Sequence, residues 1–393
     1  MLSLIFLVLP CACDRANDTE KGYFVDYAIN AEQLYIDGKK ISNSDYNALV
    51  KDAGELIRSI EKQVSVEFED SDISRINSAE KDEIIQVGEH TYKMLSLSKE
   101  LFVLTGGKFS PALFNLSQLW GFSPEFEGEY TKSRPTPSDE SIQTAKINSD
   151  FSQLELLGNN CVKKTNSQLK LDLGGIAKGY MSDCLREFIV NEYTGKKVEG
   201  SITVMSNSIL LGEIHDGNST RYWRVDVENP RRLTVGNGTA LFLPEIKDCA
   251  ITTSSDCYRF FVNKEKIYSH IIDYETGKPA DNGIISVTIL VPLTVTNSGA
   301  FADALSTAGF CMKLTDALSF YSSMSERFGV SAIVICSDFN YYTVGDTVVQ
   351  NLNEISDKYE NVFTKNDILN ATDDVTVCEK EREYIIKAGK IYE

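Results

Sequence analysis

From residue 44 to 64 apolar side chains recur at Leu49, Ala53, Leu56, Ile57, Ile60 and Val64. Steps of three and four residues put them on one side of a helix, so the segment reads as an amphipathic helix. Ser42 or Ser44 supplies a capping hydroxyl ahead of it. A second helical pattern covers about 90–104 and stops at Thr105-Gly106-Gly107; two more cover 174–193, opened by glycines, and 298–312. Between them 201–211, 222–227, 284–291 and 329–335 are strand-like, and 23–37 alternates loosely into a turn at Asp37-Gly38. Strands and helices do not take turns along the chain, so an α+β fold with antiparallel sheet is expected in place of a doubly wound parallel sheet. No internal repeat is visible.

Composition narrows the class. With 393 residues, 42% hydrophobic, 24% charged, 25 Gly and 9 Pro, the chain is ordinary globular material, of a length for two domains or one large one. The 39 Lys plus Arg against 57 Asp plus Glu give a formal charge of −18, a field that repels a phosphate backbone. No nucleic-acid partner is expected, and any phosphorylated ligand must be neutralised locally by a metal ion, a lysine or helix N-terminal amides. The apolar run 2–10 is nine residues long, far short of the roughly 20 that cross a bilayer. It has the length of a signal-peptide apolar region and leads into Cys11-Ala12-Cys13-Asp14. A leader over 1–13, export and lipidation at Cys13 are expected. The polar stretch 350–393 is expected to be a variable tail. Cysteines 161, 184, 249, 257, 311, 336 and 378 form no C-x-x-C pair and read as mostly structural.

Three clusters could carry chemistry. In Leu171-Asp172-Leu173-Gly174-Gly175-Ile176-Ala177-Lys178-Gly179-Tyr180 paired glycines pass from a strand end into a helix, which suits either close packing or an anion, with Lys178 as a cation. Neither a P-loop nor a dinucleotide fingerprint is present. In Ala302-Asp303-Ala304-Leu305-Ser306-Thr307 Asp303 and Thr307 share a helix face. They are either a solvated acid and a packing residue or hard oxygen ligands for Mg²⁺, which takes one or two carboxylates and completes its shell with substrate phosphates. The third cluster runs from Tyr268 to Pro279. Of three histidines, His90 and His215 read as surface residues, whereas His270, in this cluster, is either structural or a general base.

In this order the clusters resemble the ApbE family of flavin transferases. The resemblance rests on Asp70-Ser71-Asp72-Ile73-Ser74-Arg75-Ile76-Asn77, Thr105-Gly106-Gly107-Lys108-Phe109-Ser110 leading to Leu119-Trp120-Gly121-Phe122, the 172–180 segment, Thr252-Thr253-Ser254, the 270–279 segment and the 302–307 segment, and covers about 45–345. It implies a single α+β domain related to the T-fold, over 23–345. It implies a Mg²⁺-dependent enzyme that cleaves FAD, attaches FMN to a threonine of a target protein and releases AMP. Asp172 and Lys178 would hold FAD; Lys108, Phe109, Ser110 and Ile272 would line the flavin pocket, with Phe68 and Asn77 near the adenosine. Gly175, through its carbonyl, and Asp303, Ser306 and Thr307 would form the metal site, and His270 would activate the acceptor hydroxyl. The setting implied is the periplasmic face of a bacterial inner membrane. The alternatives are an FAD pyrophosphatase giving FMN and AMP, and a non-catalytic flavin-binding lipoprotein.

The sequence departs from the family pattern in four places. Ser110 stands where Asp is common, Tyr274-Glu275 where Pro-Arg is, Met205-Ser206-Asn207 where Gly-Gly-Asn is, and no Met-Gly-Thr strand opens the domain near Tyr27. A carboxylate at Glu275 beside a diphosphate is expected to weaken affinity unless another cation offsets it.

Overall fold

The computed structural model describes residues 25–126, 134–231, 238–264, 266–338, 340–347 and 349–351. The expected leader with Cys13 lies outside them, as does the expected tail apart from Gln350–Asn351, which pairs with Leu241 and Phe242. The fold is α+β, as the patterning predicts.

A nine-stranded antiparallel sheet forms the centre. Its order is Tyr341–Val344, Ser331–Cys336, Ile284–Pro292, Cys249–Ser255, Asn207–Leu211, Val198–Val204, Tyr35–Ile36 and Lys39–Lys40, with Tyr27–Ile29 also paired to Val198–Val204. Alternation along each strand sends side chains to two cores. Ile209, Ala250, Ile289 and Val334 face the helices Asn43–Val64, Glu89–Leu104, Ala177–Glu192 and Ser298–Phe310. Leu210, Ile251, Leu290 and Ile333 face a smaller sheet built on Trp223–Glu228 and Thr239–Ile246. A bulge between Ile284 and Ser286 shifts the parity, which is why Ile285 and Val287, two residues apart, serve opposite cores.

The periodic helices lie where their patterns put them. Ser42 is the N-cap of Asn43–Val64, its Oγ accepting from the Asp45 amide at 3.1 Å. Two strand expectations need correction. The 201–211 run is a hairpin, turned at Met205 with φ 52° beside the polar Ser206-Asn207-Ser208; both of its strands are buried, so the polar turn residues are the only local sign of the reversal. The 23–37 run is broken at Asn30, whose side chain caps a short helical turn over Ala31–Gln33. A third cluster, Leu116, Trp120, Phe122, Ile142, Phe261 and Ile272, anchors the 270–279 segment to the helices Phe114–Trp120 and Asp139–Ile147.

Candidate functional site

The glycine pair at 174–175 lies in a turn just ahead of the Ala177–Glu192 helix. Asp172 fixes that turn: its amide donates to the Pro111 carbonyl at 2.8 Å and its Oδ1 accepts from Gly174 N at 2.8 Å. The turn is anchored from below as well. Asn77 spends both ends of its amide on the Leu171 backbone, at 2.9 and 2.7 Å. Lys164, 1% exposed, donates to the carbonyls of Asn77, Ser167 and Leu169 at 2.9, 2.8 and 3.2 Å. Asn77 therefore meets the site through the backbone leading to Asp172. Phe68 lies in the turn before the Asp72–Ser78 helix, its carbonyl accepting from Ser71 N at 3.1 Å.

Two glycines bring the second cluster in. A Cβ on Gly179 would stand 2.2 Å from the Gly299 carbonyl oxygen, and one on Gly299 2.5 Å from that of Gly179. Only bare backbone permits this crossing of Ala177–Glu192 over Ser298–Phe310. Asp183 secures it, accepting from the amides of Gly299 and Ala300 at 2.9 Å each. Burial pushes its carboxyl up to about 6, against the pull of those two amides. The crossing buries Asp303 to 3% exposure, which excludes the solvated-acid alternative. Its Oδ2 accepts from Gly179 N at 3.1 Å and lies 3.5 Å from Lys178 Nζ. Its Oδ1 takes part in no hydrogen bond among the described residues.

Thr307 stands one turn on, donating to the Asp303 carbonyl at 3.2 Å and 3.5 Å from Ser254 Oγ. A Cβ on Gly175 would lie 3.8 Å from Thr307 Oγ1 and 3.4 Å from the Phe109 ring, so the helix opening, the hydroxyl and that ring adjoin. Ser306 is fully buried behind them, bonded to the Asp303 carbonyl at 2.9 Å and 2.7 Å from Ser254 Oγ. Among the described residues no group of three or more His, Cys, Asp or Glu could hold a metal ion. Asp303 Oδ1, Thr307 Oγ1 and the Gly175 backbone nevertheless form a hard-oxygen set with one carboxylate, which fits Mg²⁺ completed by substrate oxygens.

The far wall is the 105–111 loop and the 270–279 segment. Lys108 Nζ bridges them, 3.1 Å from Asp273 Oδ1 and 2.7 Å from Glu275 Oε2. Its burial favours the neutral amine, but the bonds to Glu275 and Asp273 prevail and raise its pKa. Phe109 is 2% exposed, and Ser110 Oγ is spent on the Ala112 amide at 3.2 Å. Ile272 is 4% exposed in the third cluster, its carbonyl facing Cys311 Sγ at 3.6 Å. His270 is only partly exposed, edge-on to Phe122. The Arg259 carbonyl lies 2.9 Å from the His270 amide and 3.2 Å from Nδ1. A carbonyl only accepts, so Nδ1 carries the proton and Nε2 a lone pair. Burial, then the charges of Arg259 and Lys178, pushes this imidazole down to about 3. Lys178 meets Asp303, the Gly175 turn meets the Phe109 ring, and Lys108 beside that ring meets Asp273, so contacts join the three sequence clusters.

The ApbE family profile matches residues 22–333. The chain belongs to the ApbE family. The FAD:protein FMN transferase of Vibrio cholerae is 28% identical over 282 residues, 68% of this chain and 80% of its own. That of Treponema pallidum is 26% identical over 307 residues, 75% and 79% of the two chains. Among solved structures, the ApbE protein of Thermotoga maritima matches with TM-score 0.65 at 26% identity, over 82% of this chain and 96% of its own. The flavin transferase ApbE of Vibrio cholerae matches with TM-score 0.64 at 25% identity, over 82% and 97%.

The carboxylate of Glu275 does not stand without a cation. Lys108 pairs with Glu275 and, by hydrogen bond and charge, holds its carboxyl below the usual range. Sequence reasoning gave no role to Asp183, Ser254 or Lys164, since a helical carboxylate that caps another helix has no local pattern. It also read two histidines as surface groups. His90 Nδ1 is 3.0 Å from Tyr180 Oη, and His215, its side chain 14% exposed, stacks on Tyr35 and lies 2.9 Å from Glu199 Oε2. His90 opens a helix and His215 sits beside the turn-like Asp216-Gly217 in sequence, but tertiary contacts partly cover both.

Proposed function

We propose that this chain is a Mg²⁺-dependent flavin transferase that takes FAD, attaches FMN to a threonine hydroxyl of a partner protein and releases AMP. The observation that carries the reading is Asp303, a buried carboxylate whose Oδ1 makes no hydrogen bond among the described residues, one helical turn from the Thr307 hydroxyl, which itself adjoins the Gly175 turn. Asp303 and Thr307, with the Gly175 carbonyl, would hold Mg²⁺; bound there, the ion supplies charge neutralisation for the diphosphate. Lys178 adds a fixed cation at the helix opening. Phe109 and Ile272 wall the flavin side; Lys108, locked to Asp273 and Glu275, closes that wall.

His270 Nε2 accepts the proton of the acceptor hydroxyl. That oxygen forms a bond to the FMN-side phosphorus, the bond to the bridging oxygen breaks, and AMP leaves with it. The diphosphate brings negative charge against Lys178 and Arg259, the cations that suppress the imidazole, and so raises its basicity on binding. Water in the attack position gives the hydrolase; a docked hydroxyl has a large effective concentration and outcompetes it. The reading extends to export and a lipid anchor at Cys13, tested by labelling cells with a fatty-acid analogue and comparing Cys13→Ala.

The test is incubation with FAD, Mg²⁺ and a flavin-accepting domain. AMP and FMN are followed by chromatography, and the adduct by in-gel flavin fluorescence. A fluorescent acceptor band, lost when its threonine becomes alanine, is expected. Free FMN released at an unchanged rate with no labelled acceptor points to the hydrolase, and FAD bound without AMP release to the binding protein.

A further inference from the structure

We propose that Ser254 is a further oxygen ligand of the Mg²⁺ site, supplied by the central sheet. The proposal rests on the reading of Asp303 and Thr307 as metal ligands. Ser254 lies near the end of the Cys249–Ser255 strand, where its neighbour across the ladder is Val287. Side chains two residues apart on a strand share a face, so Ser254 points the way Ala250 does, toward the helices. There it meets Ser306 and Thr307 of the Ser298–Phe310 helix. The strand is paired on both of its sides, to Ile284–Pro292 and Asn207–Leu211, and so gives a ligand rigid support.

The protons decide what Ser254 offers. Each hydroxyl has one proton and two lone pairs. The Asp303 carbonyl only accepts, so Ser306 at 2.9 Å and Thr307 at 3.2 Å both spend their protons on it. Ser254 Oγ and Ser306 Oγ stand 2.7 Å apart, a separation that needs a proton between them, and Ser306 has none left. Ser254 therefore donates to Ser306. Its own oxygen is left with lone pairs only, as is that of Thr307, and the two lie 3.5 Å apart with no proton to link them. Ser306 is fully buried whereas Ser254 is partly exposed, so Ser254 is the member of the pair that a ligand can reach. Ser306, expected in the metal set from the family resemblance, is thereby the residue that orients Ser254. Two neutral hydroxyl oxygens with lone pairs to spare, one of them beside the Gly175 turn, suit a hard cation and serve a soft one poorly.

The test replaces oxygen by sulfur. In the full chain without FAD, Cd²⁺ added to Ser254→Cys is expected to give a sulfur-to-metal charge-transfer band in the ultraviolet beyond that of wild type, since a thiolate takes soft ions. Thr307→Cys is the control for the site itself. A band in Thr307→Cys and none in Ser254→Cys overturns the proposal and leaves the Mg²⁺ site standing; a band in neither overturns the Mg²⁺ reading and the proposal with it. Mn²⁺ stands in for Mg²⁺ in a second readout, a titration followed by electron paramagnetic resonance. Ser254→Ala is expected to weaken its binding about tenfold, the lower end of what loss of a supporting group costs a metal site, and Ser254→Thr, which restores the hydroxyl, to return it to within about twofold of wild type. A packing role alone would move stability and leave both readouts where they were. Should Ser254→Cys fail to fold, Mn²⁺ affinity decides: Ser254→Ala binding within about twofold of wild type overturns the proposal.

Discussion

Asp303 does two jobs with two oxygens: Oδ2 ties down Gly179 and faces Lys178, while Oδ1 stays available. Asp303→Asn keeps an acceptor for the Gly179 amide and removes the charge. We expect that variant to melt close to wild type yet to lose Mg²⁺-dependent AMP release, checked by calorimetry and chromatography. Release that continues at the original rate would exclude Asp303 as a ligand. His270 permits a separate test. Its pKa is depressed, so the neutral ring's contribution to stability is present above pH ~6.5, the ordinary value, and is lost only as pH falls toward about 3. In the FAD-free protein its ring resonances should stay fixed between pH 5 and 8, and a midpoint inside that window would contradict the burial described here.

At the scale of elements, the site exists because two helices cross at Gly179 and Gly299. The Cβ of Gly179→Ala would meet backbone at 2.2 Å and could not be relieved by a rotamer change. The helices must part, at a cost of ~1–3 kcal/mol or more, visible as a lowered Tm together with weakened Mg²⁺ dependence. Asp183, which caps the second helix, adds a pH signature. Its carboxyl is raised to about 6, so the folded chain holds this proton more tightly than the unfolded one. The resulting stability is fully present below pH ~3.9 and is lost as pH rises through 6. Denaturant titrations should show wild type gaining on Asp183→Asn by about 2 kcal/mol between pH 7 and pH 4; a difference independent of pH would rule out the raised pKa.

Across the whole molecule, a charge of −18 faces a dinucleotide that is itself an anion. In the proposed reading local cations and the helix opening hold the ligand, while the long-range field opposes its approach. Raising ionic strength screens that field, so FAD association should quicken from about 20 mM to about 200 mM salt, where a basic nucleotide-binding protein would slow. Stopped-flow flavin fluorescence at fixed Mg²⁺ measures it, and slower association in salt would show that the site's own cations dominate at long range.

Period and spacing were legible because they are local. The helices at Asn43–Val64 and Glu89–Leu104, the glycine opening before Ala177–Glu192 and the Asp303/Thr307 face all follow from neighbours a few residues apart. The order of the motifs then sufficed to point to the family. The buried run that folds back at Met205 was read as one strand, since the polar Ser206-Asn207-Ser208 at its turn are themselves drawn into or beside buried strands. Not legible at all were the contacts that span the chain: Asp183 with Gly299 and Lys108 with Glu275. A carboxylate or lysine has the same local signature whether water or a distant backbone receives it. The sequence by itself determined which groups are candidates for the site; the packing of two helices on an antiparallel sheet decided which of their atoms are spent on structure and which remain for a ligand.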